Sequence, residues 1–166
     1  VQVHEGNVRE GIGSLKRALE IDPNDPDTLV WLCVFCGNTG KAAAARPWAE
    51  RLKLIDPLTP LFQVIPAVLA TMEGKFKEAI EAFAPQYAGN LDNPGVRLAY
   101  GQTLALGGRI EAALPIFDAL VRDLPESPFA QLAKFYASAF RGDRDAARSS
   151  VTPEVQAVFG SDPQYS

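Results

Sequence analysis

The residues best placed for chemistry are Cys33 and Cys36, which stand in the CxxC spacing of many redox and metal sites. A redox role requires a lowered thiol pKa, and a zinc site requires two further ligands. Both cysteines instead fall in the middle of a predicted helix, on the same apolar face as Leu29 and Leu32, and the chain contains no other cysteine. We therefore expect two small core residues that are reduced and free of metal.

The other candidate for catalysis is His4, the single histidine of the chain. No serine or cysteine lies close to it in the sequence, so it has no nucleophile to activate. The sequence also contains no glycine-rich phosphate loop, no paired-carboxylate pattern and no metal-ligand spacing. We therefore predict that this segment is not an enzyme and uses no cofactor.

The elements that carry these residues recur every 34 residues. Glycines follow this step at Gly6, Gly40, Gly74, Gly108 and Gly142. Five residues after the later glycines stand Ala45, Ala79, Ala113 and Ala147. Apolar residues follow each glycine at helical spacings, most clearly in residues 108–125. The pattern predicts a repeated unit of two helices joined by a glycine turn, with the alanines at close helix contacts.

A second periodic signal marks where each unit begins. A helix-capping residue precedes a proline in the pairs Asp25-Pro26, Thr59-Pro60, Asn93-Pro94 and Ser127-Pro128. Proline is tolerated at the first helical position because its missing N–H has no helical partner there. We expect one repeat domain over residues 1–166, with boundaries near residues 25, 59, 93, 127 and 161.

Together these features resemble the tetratricopeptide repeat family, most closely in residues 74–83 and 108–117. The resemblance covers nearly the whole chain, with about four to five repeats. It implies an all-α fold, a superhelical array of antiparallel helix pairs. It also implies a groove, lined by the first helix of each pair, that binds a peptide, a helix or part of a partner protein.

Composition narrows the partners and the compartment. The chain has 166 residues, 47% of them hydrophobic and 22% charged, with a net charge of −4. The acidic balance argues against a nucleic-acid-binding surface. No apolar run reaches the roughly 18–20 residues that span a bilayer. Two cysteines without a wider framework indicate a reducing compartment, so we expect a cytoplasmic location and no membrane partner.

Both ends of the chain look truncated. Val1 to Glu5 should be the last turn of a helix whose beginning is missing, and Tyr165 falls where a sixth repeat would begin. We therefore expect a segment of a larger, bacterial-type protein, for which self-association through the truncated ends is a further option. Pro66 and Pro85 are expected to interrupt or shorten their helices. The second helix of the last pair should be short, followed by another brief helix to about Phe159.

The expected groove is apolar. Its predicted lining comprises Val30, Val34, Val64, Val68, Met72, Leu98, Gln102, Phe129, Leu132 and Tyr136. Members of the family that grip the C-terminal carboxylates of chaperones carry Lys, Asn and Arg on these faces. The matching positions here are Val30, Val34, Ile65, Gly95 and Ala99, so that carboxylate clamp is absent. An apolar groove favours an amphipathic helix or a hydrophobic strand as ligand. The other interpretation is that neighbouring repeats or the missing ends cover these residues.

These observations predict a protein–protein interaction module. The alternative is a regulatory or sensory segment of a larger signalling enzyme, such as a kinase or cyclase. A catalytic domain encoded upstream of Val1 would favour that alternative.

Overall fold

The computed structural model describes residues 8–152, and the regular secondary structure in that range is entirely α-helical. The helices are α1 (Val8–Ile21), α2 (Pro26–Asn38), α3 (Ala42–Ile55), α4 (Pro60–Met72), α5 (Phe76–Gly89), α6 (Pro94–Leu106), α7 (Ile110–Asp123), α8 (Pro128–Arg141) and α9 (Arg144–Ser149). α9 has only six residues, as expected for the short last helix. The turn predicted at Val1 to Glu5, the helix near Phe159 and the Tyr165 position lie outside the described residues.

Helices α2, α4, α6 and α8 each begin at a proline, as the sequence predicts. Before three of these helices the capping side chain accepts a hydrogen bond of 3.1 Å from the backbone N–H three residues later. The capping residues are Asp25, Asn93 and Ser127. Before α4, the Thr59 hydroxyl instead pairs at 2.6 Å with the carboxylate of Asp56. The caps at Asp25, Asn93 and Ser127 each satisfy a backbone N–H that the open end of a helix leaves unpaired, whereas the Thr59 side chain caps no N–H of α4.

The glycine turns explain the 34-residue period. Gly40, Gly74, Gly108 and Gly142 all have φ between 72° and 81°, the left-handed region that favours glycine. After Gly40, the backbone N–H of Lys41 donates a 2.7 Å hydrogen bond back to the carbonyl of Cys36, which closes the end of α2. The chain therefore reverses at the same place in every unit.

The helices form two layers. Successive helices pack in antiparallel pairs, and α2, α4, α6 and α8 also contact one another in that order. The odd-numbered helices pack on the outside of this row. Because the even-numbered helices are in direct contact, the array curves with its concave face on their side. The observed fold is the all-α array of helix pairs that the sequence predicts.

Small residues allow the paired helices to approach each other. Ala45, Ala79 and Ala113 are completely buried, which confirms the predicted close contacts. A different device operates at Gly101, where a Cβ atom would stand 2.6 Å from the ring of Phe117 on α7. Here the ring fills the space that a side chain on α6 would otherwise take.

The prediction that Pro66 interrupts its helix and Pro85 shortens its helix is wrong. Pro66 lies inside α4, which has the same 13 residues as α2 and α6. Pro85 lies inside α5, which has the same 14 residues as α3 and α7. A proline removes one backbone hydrogen bond, and packing of the residues on either side holds the helix through that gap.

An ion cluster holds the end of α4. Glu73 is the C-cap residue of this helix. Its carboxylate lies 2.7 Å from the guanidinium of Arg46 on α3 and also pairs with Lys75. The hydrogen bonds from Arg46 and Lys75 lower the pKa of Glu73 to about 2. The backbone at this end of α4 is therefore tied to the preceding helix.

None of the helices within residues 8–152 is long and apolar enough to cross a membrane.

Candidate binding groove

A pocket of about 240 Å³ opens on the concave face between α4, α6 and α8. Its lining consists of Val68, Thr71, Met72, Ala99, Gln102, Thr103, Leu106, Tyr136 and Phe140. We call it the groove pocket. Four residues of the predicted groove meet in it: Val68, Met72, Gln102 and Tyr136.

Most of the lining comes from two repeat positions. Val68, Gln102 and Tyr136 are successive steps of 34 residues. Met72, Leu106 and Phe140 form the second row, one helical turn further along the same three helices. The groove pocket is therefore a product of the repeat itself, built from equivalent side chains of three consecutive units.

On the α2 side, the concave face is nearly closed. Val34 lines a hollow of only about 10 Å³, which it shares with Val68 and Met72. Val30 is half-buried against the core between α2 and α3. These two predicted residues lie on the expected face but outside the groove pocket.

Val64 and Leu98 do not line an open surface, so the prediction is wrong for them. They are equivalent positions near the beginnings of α4 and α6, and their exposed fractions are 0% and 7%. Val64 packs into a core cluster with Phe83 of α5 and Val96 of α6. In the first turns, neighbouring helices are close enough to cover this position, whereas the next two turns are open.

Phe129 and Leu132 on α8 also lie outside the groove pocket. The Phe129 ring packs over Gly95, at the beginning of α6, and Leu132 packs against the core around α7. The structure buries three alanines of α8, Ala130, Ala133 and Ala137, and leaves the larger side chains of the helix partly exposed.

Five lining residues were not in the predicted lining, and one of them, Ala99, entered the sequence analysis only as a position of the absent carboxylate clamp. Leu106 and Phe140 were detectable, because they stand 34 and 68 residues after Met72. Thr71 and Thr103 gave no such signal, because their separation of 32 residues does not follow the 34-residue repeat. Their hydroxyl oxygens lie 2.9 Å apart, and each is also bonded to a backbone carbonyl one turn earlier. The pair joins α4 to α6 beneath the groove pocket.

The walls of the groove pocket carry no charge. α4 contains no charged residue, and the one charged residue of α6, Arg97, is buried and bonded to Asp123 at 2.9 Å. On α8, Arg141 is paired with Asp118 of α7 at 2.6 Å. Among the described residues, the half-buried Gln102 has no hydrogen-bond partner for its side-chain amide. The groove pocket thus offers apolar walls and one amide that can both donate and accept.

The cysteines lie in the core, as predicted. Cys33 and Cys36 are buried and unbridged, and the Cys33 sulfur is 3.7 Å from the carbonyl oxygen of Ala45. Burial, and secondarily the neighbouring Cys36, raises the pKa of the Cys33 thiol to about 12. Residues 8–152 contain no cluster of His, Cys, Asp or Glu suited to a metal ion. His4 lies outside that range.

We expect thiol reagents to label Cys33 and Cys36 far more slowly in the folded protein than in denaturant. The thiolate is the reactive species, and burial raises the pKa of both thiols, to about 12 for Cys33, so that little thiolate forms at pH 8. Absorbance with a chromogenic disulfide reagent, with and without guanidinium, measures both rates. Equal rates in the two conditions would contradict the core placement.

Geometry and comparison agree on the class of protein. The described helices form a solenoid of stacked helix pairs with one concave face. Residues 70–138 match the family model described as tetratricopeptide repeat. A solved structure, described as the crystal structure of MamA, has a TM-score of 0.58 and 20% sequence identity, over 90% of this chain and 87% of that chain. The comparison with curated proteins gave no match.

Residues 70–138 therefore carry tetratricopeptide repeats, as the resemblance to that family predicted, and the described chain has the matching all-α solenoid fold. The likeness to MamA shows the shared fold. Repeat arrays of this class serve as protein-interaction scaffolds and in general do not catalyse reactions.

Proposed function

We propose that this chain binds a segment of a partner protein in its concave groove, with the groove pocket as the main contact. The segment is a peptide or a helix with an uncharged, apolar face. The observation that most supports this proposal is that equivalent side chains from α4, α6 and α8 line one open pocket.

The shape of the groove pocket supports this proposal. Interfaces concentrate binding energy in a few large side chains that enter well-formed pockets. A cavity of about 240 Å³ is smaller than the roughly 300–1,000 Å³ of pockets for drug-sized ligands. It is suited to one large side chain of a partner, with the flanking segment on the rest of the groove.

The chemistry of the walls defines the ligand. No charged residue lines the groove pocket, so burying a charged side chain there would leave it unpaired, which is unfavourable. Gln102 offers its amide to a polar group of the ligand, such as a backbone carbonyl or N–H. An acidic tail, which requires cations, does not fit these walls.

Gln102→Asp tests the proposal, because it puts a carboxylate into the groove pocket at a side chain that makes no hydrogen bond in the described structure. We expect at least tenfold weaker partner binding, which corresponds to about 1.4 kcal/mol, with little change in stability. Tyr136 is less suitable because it stacks on Phe117, 5.9 Å between ring centres. The matched control is Ala112→Asp, on the exposed side of α7.

The partner is first identified with a photo-crosslinking amino acid at position 102, and position 112 serves as the control. The affinity of the captured protein is then measured. We expect position 102 to capture a protein that position 112 does not. If both positions capture the same proteins, or if Gln102→Asp binds as tightly as the wild type, the groove is not the binding site.

Three further assignments stay predictions. The regulatory segment of a signalling enzyme is tested by the sequence of the full-length gene. The cytoplasmic location is tested by cell fractionation. The division into one repeat domain is tested by limited proteolysis.

A further inference from the structure

Met72 occupies an unusual position beside the groove pocket. A Cβ atom built on Gly37, near the end of α2, would overlap the sulfur of Met72, and it would lie 3.4 Å from a methyl carbon of Leu69. The Met72 side chain therefore lies across α2 in the space that any side chain at residue 37 would need. Gly37 is itself buried, so this contact is part of the packing between α2 and α4.

The repeat provides an internal comparison. One unit later, the position of Gly37 is held by Thr71 and that of Met72 by Leu106. Leu106 is 55% exposed, whereas Met72 is 36% exposed. Thr71 has a side chain that bonds to Thr103, so α4 has no equivalent gap for Leu106 to fill. The sideways placement of Met72 thus coincides with the missing side chain of Gly37.

Met72 also separates two hollows. It lines the groove pocket of about 240 Å³ on one side and the hollow of about 10 Å³ above α2 on the other. The backbone next to it is held by the Glu73–Arg46 ion pair. The side chain itself is unbranched with several rotatable bonds, so it adapts to the room it is given.

We propose that Met72 sets the size of the partner side chain that the groove pocket accepts, and that Gly37 keeps the pocket open by giving Met72 a place on α2. This inference rests on the proposed function and specifies its ligand as an uncharged segment that inserts one leucine- to phenylalanine-sized side chain. A side chain at residue 37 would force Met72 towards Tyr136 and Phe140 and fill the pocket. A smaller residue at position 72 would instead join the two hollows.

The first test follows Met72 directly. The chain contains one methionine, so [13C-methyl]methionine gives a single resonance from it by NMR. In Gly37→Ala we expect this resonance to move upfield, because ring currents of Tyr136 and Phe140 act on a methyl group displaced into the groove pocket. The matched control is Gly13→Ala in α1, where a Cβ would meet only the flexible end of Arg17 at 3.7 Å. An unmoved resonance in Gly37→Ala overturns the proposal.

The second test measures size selection with two capped amino acids, N-acetyl-leucinamide and N-acetyl-tryptophanamide. Their binding is followed by the amide resonances of Gln102 and Thr103. We expect the wild type to prefer the leucine probe, Gly37→Ala to bind both at least threefold more weakly, and Met72→Ala to prefer the tryptophan probe. The proposal is overturned if neither probe binds the wild type, or if the wild type and Met72→Ala rank the probes alike.

These results are separable from the proposed function. If Gln102→Asp leaves partner binding unchanged, the groove is not the partner site, yet the methyl resonance and the two probes still report how Met72 and Gly37 shape the groove pocket. If the partner is lost in Gln102→Asp but the probe ranking does not change in Met72→Ala, the function stands and the role of Met72 is wrong.

Discussion

Replacing Phe117 with alanine is expected to lower the free energy of unfolding by about 3–5 kcal/mol. Its ring is completely buried, packs against the bare backbone of Gly101 and stacks on Tyr136. Removing the ring would leave a cavity between α6, α7 and α8. This cavity would close only if α6 and α7 moved towards each other. Urea denaturation followed by circular dichroism measures the change.

The matched control for this change is Phe129→Ala. The Phe129 ring is 37% exposed and lies at the edge of α8, so its loss should cost less than half as much. Equal losses for the two variants would show that the Phe117 ring is not the centre of the α6–α8 core. A loss near 1 kcal/mol for Phe117→Ala would have the same meaning.

Replacing Ala113 with leucine is expected to destabilise the protein by about 1–3 kcal/mol through overpacking. Ala113 is completely buried in the core cluster that contains Phe117 and Leu120, where no space is left for three more carbon atoms. Ala112→Leu is a close control, because Ala112 is the neighbouring residue on the same helix and its side chain is exposed. That variant should stay within about 0.5 kcal/mol of the wild type. If both variants unfold alike, the assignment of Ala113 to the contact between paired helices is wrong.

The order and length of the helices could be predicted because their signals are local. The cap-proline pairs mark where the even-numbered helices begin. Glycines such as Gly108 mark where they end, because the turn that follows needs a left-handed residue. These signals act over a few residues and do not depend on neighbouring units. Pro66 was misinterpreted because its effect is not local: the packing of α4 against its neighbours outweighs the single hydrogen bond that the proline removes.

The groove was predicted only in part. Helical spacing shows which side of a helix a residue lies on, so Val68, Gln102 and Tyr136 were placed on the concave face. It does not show how far apart two neighbouring helices are at each turn. Val64 is one turn from Val68 on the same side, yet it is buried because α5 and α6 cover that turn. The distance between helices depends on the side chains of both, and therefore cannot be read from one helix alone.

The contact between Gly37 and Met72 could not be predicted from the sequence either, because it also depends on the distance between two helices. The two residues are 35 positions apart and belong to different units. Gly37 looks like one of two glycines framing a turn, whereas its effect in the structure is to accommodate a side chain of the next unit.

The construction of the groove pocket from three units has a consequence for cooperativity. Contacts in this array run mainly between a helix and the next two along the chain, so each unit can open with only its neighbours affected. A ligand held by Val68, Gln102 and Tyr136 at once would add a link that spans α4 to α8. Opening any one of the three units would then release that ligand, so its binding free energy opposes every such opening. Without ligand, the units would open one at a time. With ligand bound, the three units from α4 to α8 would open together.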